Sequence, residues 1–126
     1  MTNSARRTDL VLALLLVVAI VAAYAPVLGF GFVNFDDPGY VTANALLLYA
    51  LVRRFGFGAA AAFATAALFA LHPLRVESVA WISERKDVLC GLFVLLALHA
   101  WISWTRRGGV ARYVAALALF ALSLMA

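Results

Sequence analysis

The chain has 126 residues, of which 67% are hydrophobic and 13% charged, and its formal net charge is +4. An ordinary soluble domain has about 45–50% apolar residues. The composition therefore excludes a water-soluble globule, because too little polar surface would remain to cover it, and it is typical of a chain whose solvent is largely lipid. The cations lie at the ends of apolar runs rather than in one basic stripe, which argues against nucleic acid as a partner.

The first apolar run covers residues 10–30 and follows a polar N-terminus. At about 1.5 Å of rise per residue, a helix over this run is long enough to cross the hydrocarbon core of a bilayer. The sequence AYA at positions 23–25 is also typical of a signal-peptide cleavage site, although the apolar run continues past it. We predict a retained span whose helix unwinds near Pro26 and Gly29.

Residues 31–44 form the first predicted outer loop, and they include the adjacent carboxylates Asp36 and Asp37. Adjacent carboxylates repel each other, so their presence in so apolar a chain requires a reason. One reason is chemical: a site that uses an acid or a base. The plainer reason is structural, because an Asp-Asp-Pro-Gly run is a good turn sequence.

The segment after this loop is too short to cross a bilayer by itself. Its apolar stretch covers residues 45–52, whereas a helical crossing needs about 20 residues. A helix rich in alanine is predicted over residues 58–71, and such small residues favour close contact with a neighbouring membrane helix. Pro73 predicts that this helix ends near His72. Because the apolar stretch before it is too short for a crossing, we predict that residues 45–71 form a transmembrane span only in part.

Residues 72–87 form the second predicted outer loop, which includes an amphipathic helix expected to lie on the membrane surface. Residues 88–104 form a clear span with two tryptophans near its far end, at the depth that interfacial aromatic residues favour. A basic turn leads into the last apolar run, 111–126. The predicted fold class is all-α: a single membrane domain, residues 1–126, forming a polytopic helix bundle with about four spans plus the surface helix.

Charge divides unequally between the two predicted faces of this bundle. With a cytoplasmic N-terminus, the inner face carries seven cations and one anion, namely Arg6, Arg7, Arg53, Arg54, Arg106, Arg107, Arg112 and Asp9. The outer face carries the other three cations and five anions. An excess of Lys and Arg on the cytoplasmic side is the pattern that sets membrane orientation, and it predicts a multi-pass chain with its N-terminus inside.

Three stretches carry a resemblance to a known family: FVNFDDPGYV, ALFALHPLRVESVAWISERKDVL and ARYVAALALFALSLMA. They resemble the N-terminal membrane part of bacterial TPR-containing membrane proteins, which are related to the transmembrane-and-TPR O-mannosyltransferases of the GT-C glycosyltransferase class. The resemblance extends from about Tyr24 to Ala126. The segment HPLRVESVAWISERKDVL is its most specific part.

The resemblance implies a fragment of a bacterial inner-membrane enzyme that transfers sugar from a polyprenyl-phosphate carrier to a protein or other hydroxyl acceptor at the outer face. It also implies that an acidic residue of the first outer loop is the base, a position that Asp36 and Asp37 occupy. Relative to the family, the chain lacks an outer segment and half a span after Asn44, later spans after Ala126, and tetratricopeptide repeats. We therefore expect the chain alone to be inactive.

Sugar transfer from a lipid phosphate needs a base for the acceptor hydroxyl and cations for the leaving phosphate. Close carboxylates raise one another's proton affinity, which favours Asp36 and Asp37 as the base. The candidate residues for substrate and phosphate binding are His72, Arg75, Glu77, Glu84, Arg85 and Lys86. The plainer interpretations are a solvated charge cluster for residues 84–87 and a helix-end cap for His72. No Cys/His spacing supports zinc, and no third ligand is identifiable for a divalent ion between the aspartates.

Two other interpretations fit the same residues. The chain could be a non-catalytic membrane anchor that displays a TPR domain for binding partner proteins, or a truncated gene product without function. All three interpretations have the lipid bilayer as a partner. They differ in whether the outer charges contact a polyprenyl-phosphate sugar or only the membrane interface.

Overall fold

The computed structural model describes residues 3–26, 37–72 and 85–126. The regular structure in these ranges is entirely helical, with five helices: α1 Asn3–Tyr24, α2 Asp37–Arg54, α3 Ala59–Leu71, α4 Arg85–Arg107 and α5 Val110–Met125. The predicted all-α class is therefore confirmed for the described part of the chain. Most of the predicted surface helix within residues 72–87 lies outside the described residues.

Two of the described helices are long and apolar enough to cross a membrane, judged by length and composition. They are Asn3–Tyr24 and Lys86–Arg107, each of 22 residues. Helices α3 and α5 are apolar but shorter, with 13 and 16 residues. Helix α2 has 18 residues, and charged residues lie at both of its ends. The coarse prediction of a membrane-associated helical chain thus has support from two helices, which is fewer than the four predicted spans.

Helix α1 ends earlier than the predicted span of residues 10–30. Its last helical residue is Tyr24, and a turn comes next at residues 25–26. Pro26 explains this position, because a proline disfavours the helical conformation in the residue before it. At its other end, α1 begins at Asn3, so the polar residues before Leu10 continue the same helix.

Helix α2 begins inside the segment that we predicted as a loop over residues 31–44. Residues 37–44 are helical, and the sequence at the start of the helix is Asp37-Pro38. A proline in the first turn costs little, because the N–H that it lacks would have no partner there, and Asp is favoured at helix N-termini. The Asp-Pro-Gly sequence that suggested a turn is therefore equally a helix start.

A four-residue connection separates α2 from α3, so residues 45–71 form two helices rather than one partial span. Gly56 has a φ of 94°, a conformation that residues with a side chain rarely adopt. Helix α3 lies between its N-cap, Gly58, and its C-cap, His72, in agreement with the helix predicted over residues 58–71. The proline after His72 accounts for the end of the helix.

Hydrogen bonds fix the directions of the helices. The Tyr24 hydroxyl at the end of α1 donates to the carbonyl of Ala70 at the end of α3. Asp9, near the start of α1, accepts a bond from Arg53 at the end of α2. Helices α1 and α3 are therefore parallel and α2 is antiparallel to both. We call the two ends of this bundle the Tyr24 end and the Arg53 end.

The main core lies where α1 packs on α3. Fully buried side chains of α1 lie four residues apart, at Leu16, Ile20 and Tyr24. They share one cluster with three fully buried alanines of α3, which are also four residues apart, at Ala62, Ala66 and Ala70. Residues at this spacing lie on one helix face, so a stripe of large side chains on α1 packs against a stripe of small ones on α3.

Helices α4 and α5 form a hairpin, the most extensive helix pair in the described structure. Gly108 and Gly109 connect them, with φ angles of 63° and 97°. This conformation favours glycine, which explains the Gly-Gly pair in the basic turn. The first turn of α4 contacts α2, because the Asn44 side chain donates a hydrogen bond to the carbonyl of Val88.

Candidate functional site

The predicted catalytic and binding residues are only partly within the described structure. Asp36, Arg75, Glu77 and Glu84 lie outside the described residues. Asp37 and Arg85 are the first residues of α2 and α4, and for these two residues the structure describes only the backbone. The side chains of His72 and Lys86 are described, and both residues are exposed. The catalytic assignment of the aspartates therefore stays a prediction.

The helix ends that flank the two predicted outer segments lie at one end of the bundle. Tyr24 and Ala70 are joined by a 3.0 Å hydrogen bond, and Asn44 and Val88 by one of 2.8 Å. Tyr24, Ala70 and Val88 belong to one buried cluster, so these two pairs are parts of the same core. The described residues on either side of the segments 27–36 and 73–84 are thus all at the Tyr24 end.

An apolar groove of about 440 Å³ lies along α3 at the Tyr24 end, lined by Ala64, Ala67, Leu68, Leu71 and His72. Its wall is almost entirely hydrocarbon, and its polar side chain is His72, at the very end of the helix. A groove of this composition suits an aliphatic chain, with the imidazole at the level where a lipid head would begin. In the described residues, no three His, Cys, Asp or Glu side chains group as metal ligands.

A buried amide lies close to the same end. Asn44 is 1% exposed, and its Nδ2 donates to the Val88 carbonyl at 2.8 Å. Its Oδ1 is buried and has no hydrogen-bond partner in the described structure. A buried acceptor without a partner lowers stability by about 1–3 kcal/mol. The bond from Nδ2 acts in the other direction, because it joins α2 to the first turn of α4.

A polar network lies at the opposite end, and its centre is Asp9. Arg53 Nε donates to Asp9 Oδ1 at 2.8 Å and its Nη2 donates to Oδ2 at 3.1 Å, so the ion pair is bidentate. The Tyr49 hydroxyl donates to Oδ1 at 2.7 Å. All three side chains come from α1 and α2. Bidentate Arg–carboxylate pairs fix geometry as well as adding energy, so this network sets how α1 lies on α2.

The carboxylate of Asp9 also affects the titration of its partner. Its hydrogen bond and negative charge raise the pKa of the Arg53 guanidinium above its already high ordinary value. Arg53 therefore remains a cation at any pH the protein meets. Its Nη1 donates to the Phe57 carbonyl at 2.8 Å, which extends the same interaction into the connection between α2 and α3.

We expect Asp9→Asn to weaken the contact between α1 and α2. The variant keeps the shape of the side chain but loses the charge and one of the two acceptors that Arg53 uses. The pair is partly exposed, so the expected loss is small, about 3 °C in melting temperature in detergent. Arg6→Gln is the matched control, because it also changes one exposed charge of α1 but touches no part of the network. An equal change in both variants would contradict a structural role for Asp9.

A second network at the Arg53 end joins α2 to α4 through His99. The ring Nε2 of His99 lies 2.9 Å from the Leu47 carbonyl. Because a carbonyl can only accept, Nε2 carries the hydrogen, and Nδ1 accepts from Arg54 Nη1 at 3.1 Å. Arg54 Nη1 also donates to the backbone carbonyl of His99 at 3.2 Å. The structure thus places the His99 ring between α2 and α4.

The sequence contains a signal for the Asp9 network. Asp9 is the one acid among seven cations predicted for the same face. A single anion in such a group is expected to find a partner, and Arg53 was among the cations assigned to that face. What the sequence could not provide is which cation pairs with it, because that depends on how α1 and α2 pack.

The described structure belongs to a clear class: an all-helical chain with two helices that could cross a membrane. Comparison with protein-family models, with curated proteins and with solved structures gave no match.

Proposed function

We propose that the chain is the membrane part of a GT-C-like glycosyltransferase that takes sugar from a polyprenyl phosphate at the outer face of a bacterial inner membrane. The proposal also includes the predicted multi-pass bundle, a cytoplasmic N-terminus and a hydroxyl acceptor on a protein or another molecule. The observation that carries it is the common position of the helix ends beside the two charged segments. Asp37 begins α2, Arg85 begins α4, and both helices start at the Tyr24 end.

In the proposed reaction, Asp36 or Asp37 accepts the proton of the acceptor hydroxyl, whose oxygen then attacks the anomeric carbon. The bond from that carbon to the carrier phosphate breaks, and the phosphate leaves with the electron pair. Arg75, Arg85 and Lys86 offset the charge on the leaving phosphate, Arg through paired N–H donors. Glu77, Glu84 and His72 orient the sugar or the acceptor.

The groove along α3 supports a lipid-linked donor. It is apolar, and it ends at His72, on the same end of the bundle as the starts of α2 and α4. A polyprenyl chain in this groove would bring its phosphate toward the segment that begins at residue 73. An aliphatic groove for the chain and cations for the phosphate are what a lipid-linked donor requires from a protein.

The charge distribution supports the proposed orientation. The Asp9–Arg53 ion pair and the contact between Arg54 and His99 both lie at the Arg53 end. Arg53, Arg54 and the N-terminal part of α1 are thus on one side of the bundle, as the count of cations requires for a cytoplasmic face. The opposite, outer end is then the Tyr24 end.

We expect Asp36→Asn combined with Asp37→Asn to reduce sugar transfer by about 100-fold or more, because a positioned base contributes roughly 10²–10⁴-fold. The assay supplies radiolabelled polyprenyl-phosphate sugar to membranes that contain the longer protein implied by the resemblance. Asp87→Asn is the control, because it removes an exposed acid near the start of α4 that has no proposed role. Unchanged transfer in the double variant would remove the aspartates from the mechanism.

A sidedness measurement separates a failed reaction from a failed topology. Cysteines introduced singly at Gly39 and Lys86, both exposed, are labelled with a membrane-impermeant maleimide in intact cells after Cys90→Ser. The proposal requires both to react from the outside and a cysteine at Arg107 to react only after lysis. Reaction of Gly39 and Lys86 from opposite sides would end the proposal, whatever the transfer assay shows.

The second candidate function is a membrane anchor for a TPR domain that binds partner proteins. The observation that favours it is the position of the Asp9–Tyr49–Arg53 network, which joins helices at the end away from the candidate site. Such a network needs no substrate to explain it. Normal partner binding by the longer protein, with no transfer by the wild-type membrane part, would favour this function.

A further inference from the structure

A second apolar groove lies between α4 and α5. It has a volume of about 250 Å³ and is lined by Val94, Ala97, Leu98, Trp101, Ala116, Leu117 and Phe120. Its walls are almost entirely hydrocarbon. Leu98, Leu117 and Phe120 are 40%, 47% and 52% exposed, so the groove is open to the surroundings of the helix pair.

Three aromatic rings lie at one end of this groove. Trp101 belongs to its wall, and the ring centroids of Trp101 and Trp104 are 4.9 Å apart. Tyr113 of α5 completes the group, with its centroid 5.1 Å from that of Trp104. Tryptophan and tyrosine favour the level of the lipid headgroups, because their rings are apolar and their N–H and O–H groups are polar.

Cations lie directly beyond the aromatic group. Arg106 and Arg107 end α4, and Arg112 lies in the first turn of α5; all three are exposed. Arg112 Nη1 donates to the Gly108 carbonyl at 2.7 Å, which keeps the side chain at the turn. The sequence has no Asp or Glu after Asp87. The hairpin therefore presents an apolar groove, then aromatic rings, then uncompensated positive charge.

We propose that the α4–α5 hairpin binds one anionic phospholipid, with an acyl chain in the groove and the phosphodiester at Arg107 and Arg112. The proposal rests on the membrane placement of the proposed function but not on sugar transfer. The order of the three features matches the order of a lipid's parts along the bilayer normal: hydrocarbon, interface, phosphate. A polybasic segment beside a membrane helix attracts anionic lipids, and Arg provides paired donors for a phosphate.

Charge complementarity favours a lipid over a second helix as the occupant. A packed helix would satisfy the hydrocarbon walls, but it would not neutralise three cations at the mouth of the groove. Arg53 is neutralised within the bundle by Asp9. Arg106 and Arg112 donate to the carbonyls of Arg54 and Gly108, which carry no charge. The phosphate of a phospholipid is the negative group that a bilayer provides at this level.

The test uses the full chain in vesicles and the fluorescence of Trp101 and Trp104, with Trp81→Phe to remove the remaining tryptophan. Phosphatidylglycerol or phosphatidylcholine, each brominated on its acyl chains, is added to non-brominated phosphatidylcholine vesicles. Bromine quenches a tryptophan that it contacts, so the quenching reports which lipid occupies the groove. We expect the preference for the anionic lipid to be about 25-fold, since each of the two cations at the phosphodiester contributes roughly fivefold.

The paired variants decide between a headgroup site and general attraction. Arg107→Gln with Arg112→Gln should reduce the preference to about twofold or less. Arg6→Gln with Arg7→Gln removes the same charge from α1 and should leave it unchanged. The proposal would be overturned if the wild type bound both lipids equally. It would also be overturned if the two double variants lost the same share of the preference for the anionic lipid. Absence of quenching by either lipid, with cross-links between copies at Leu117→Cys, would assign the groove to a second helix and also overturn it.

Discussion

Asn44→Asp is expected to lower the free energy of unfolding by about 3–5 kcal/mol at neutral pH. Asn44 is 1% exposed, and its Nδ2 faces the Val88 carbonyl at 2.8 Å. A carboxylate would put an acceptor and a negative charge where a donor is needed. A buried charge without a partner costs about this much.

The loss should depend on pH, and its direction is set by burial. Burial raises the pKa of an introduced carboxyl group, because it disfavours the charged form. The folded state then binds more protons than the unfolded one, so stability falls as pH rises from about 3.9, the unfolded pKa of Asp, to the raised pKa of the folded state. Below about 3.9 the protonated acid can donate to the Val88 carbonyl as the amide does, and the variant should be close to the wild type.

Thermal unfolding in detergent between about pH 4 and pH 8, monitored by circular dichroism, measures this effect. Asn44→Leu is the control, because it removes the donor and the unpaired Oδ1 together without adding a titratable group. Its change in melting temperature should not vary with pH. A loss in Asn44→Asp that is the same at both ends of the pH range would show that the side chain is hydrated, and would contradict the buried position.

The sequence predicted the helical class because the pattern is unambiguous at the level of whole segments. Long apolar runs bounded by charge gave the positions of α1 and α4, and the proline after His72 gave the end of α3. Small residues on α3 predicted close packing, and the stripe from Ala62 to Ala70 is fully buried. These features depend on local composition, which a sequence states directly.

The start of α2 was less predictable, because the same residues favour two structures. Asp-Pro-Gly is a turn sequence, and it is also an acceptable first turn of a helix. Packing of the next residues decides which one forms: Val41 and Ala45 are buried in the core with Tyr24 and Ala70, and this packing extends the helix back to Asp37. Tertiary contacts of this kind are not visible in a single sequence.

In the candidate site, too, the sequence pattern predicted which residues share a face, whereas their contacts depend on how the helices pack. Charge counting placed Asp9, Arg53 and Arg54 on one face, and the structure brings Asp9 and Arg53 into contact. The partner of Asp9, the contact of His99 with Leu47, and the groove between α4 and α5 required the packing of separate helices. For Asp36 and Asp37, position on the outer face remains a prediction that the sidedness measurement tests.

Ala66→Leu is the other substitution with a large expected effect, because Ala66 is the centre of the contact between α1 and α3. It is fully buried between Ala62 and Ala70, opposite Leu16, Ile20 and Tyr24 of α1. In lipid, helices associate through close packing rather than through the hydrophobic effect, so a larger side chain here pushes the two backbones apart. Overpacking of this kind costs about 1–3 kcal/mol.

Ala64→Leu provides a control on the same helix. Ala64 is exposed and lines the groove on the outer side of α3, so the same change in volume and helix propensity meets no neighbouring helix. The difference in melting temperature between the two variants isolates the contact with α1. We expect Ala66→Leu to unfold several degrees lower. Equal melting temperatures would mean that α1 does not pack on the alanine stripe, and the helix directions inferred from the Tyr24–Ala70 bond would then be wrong.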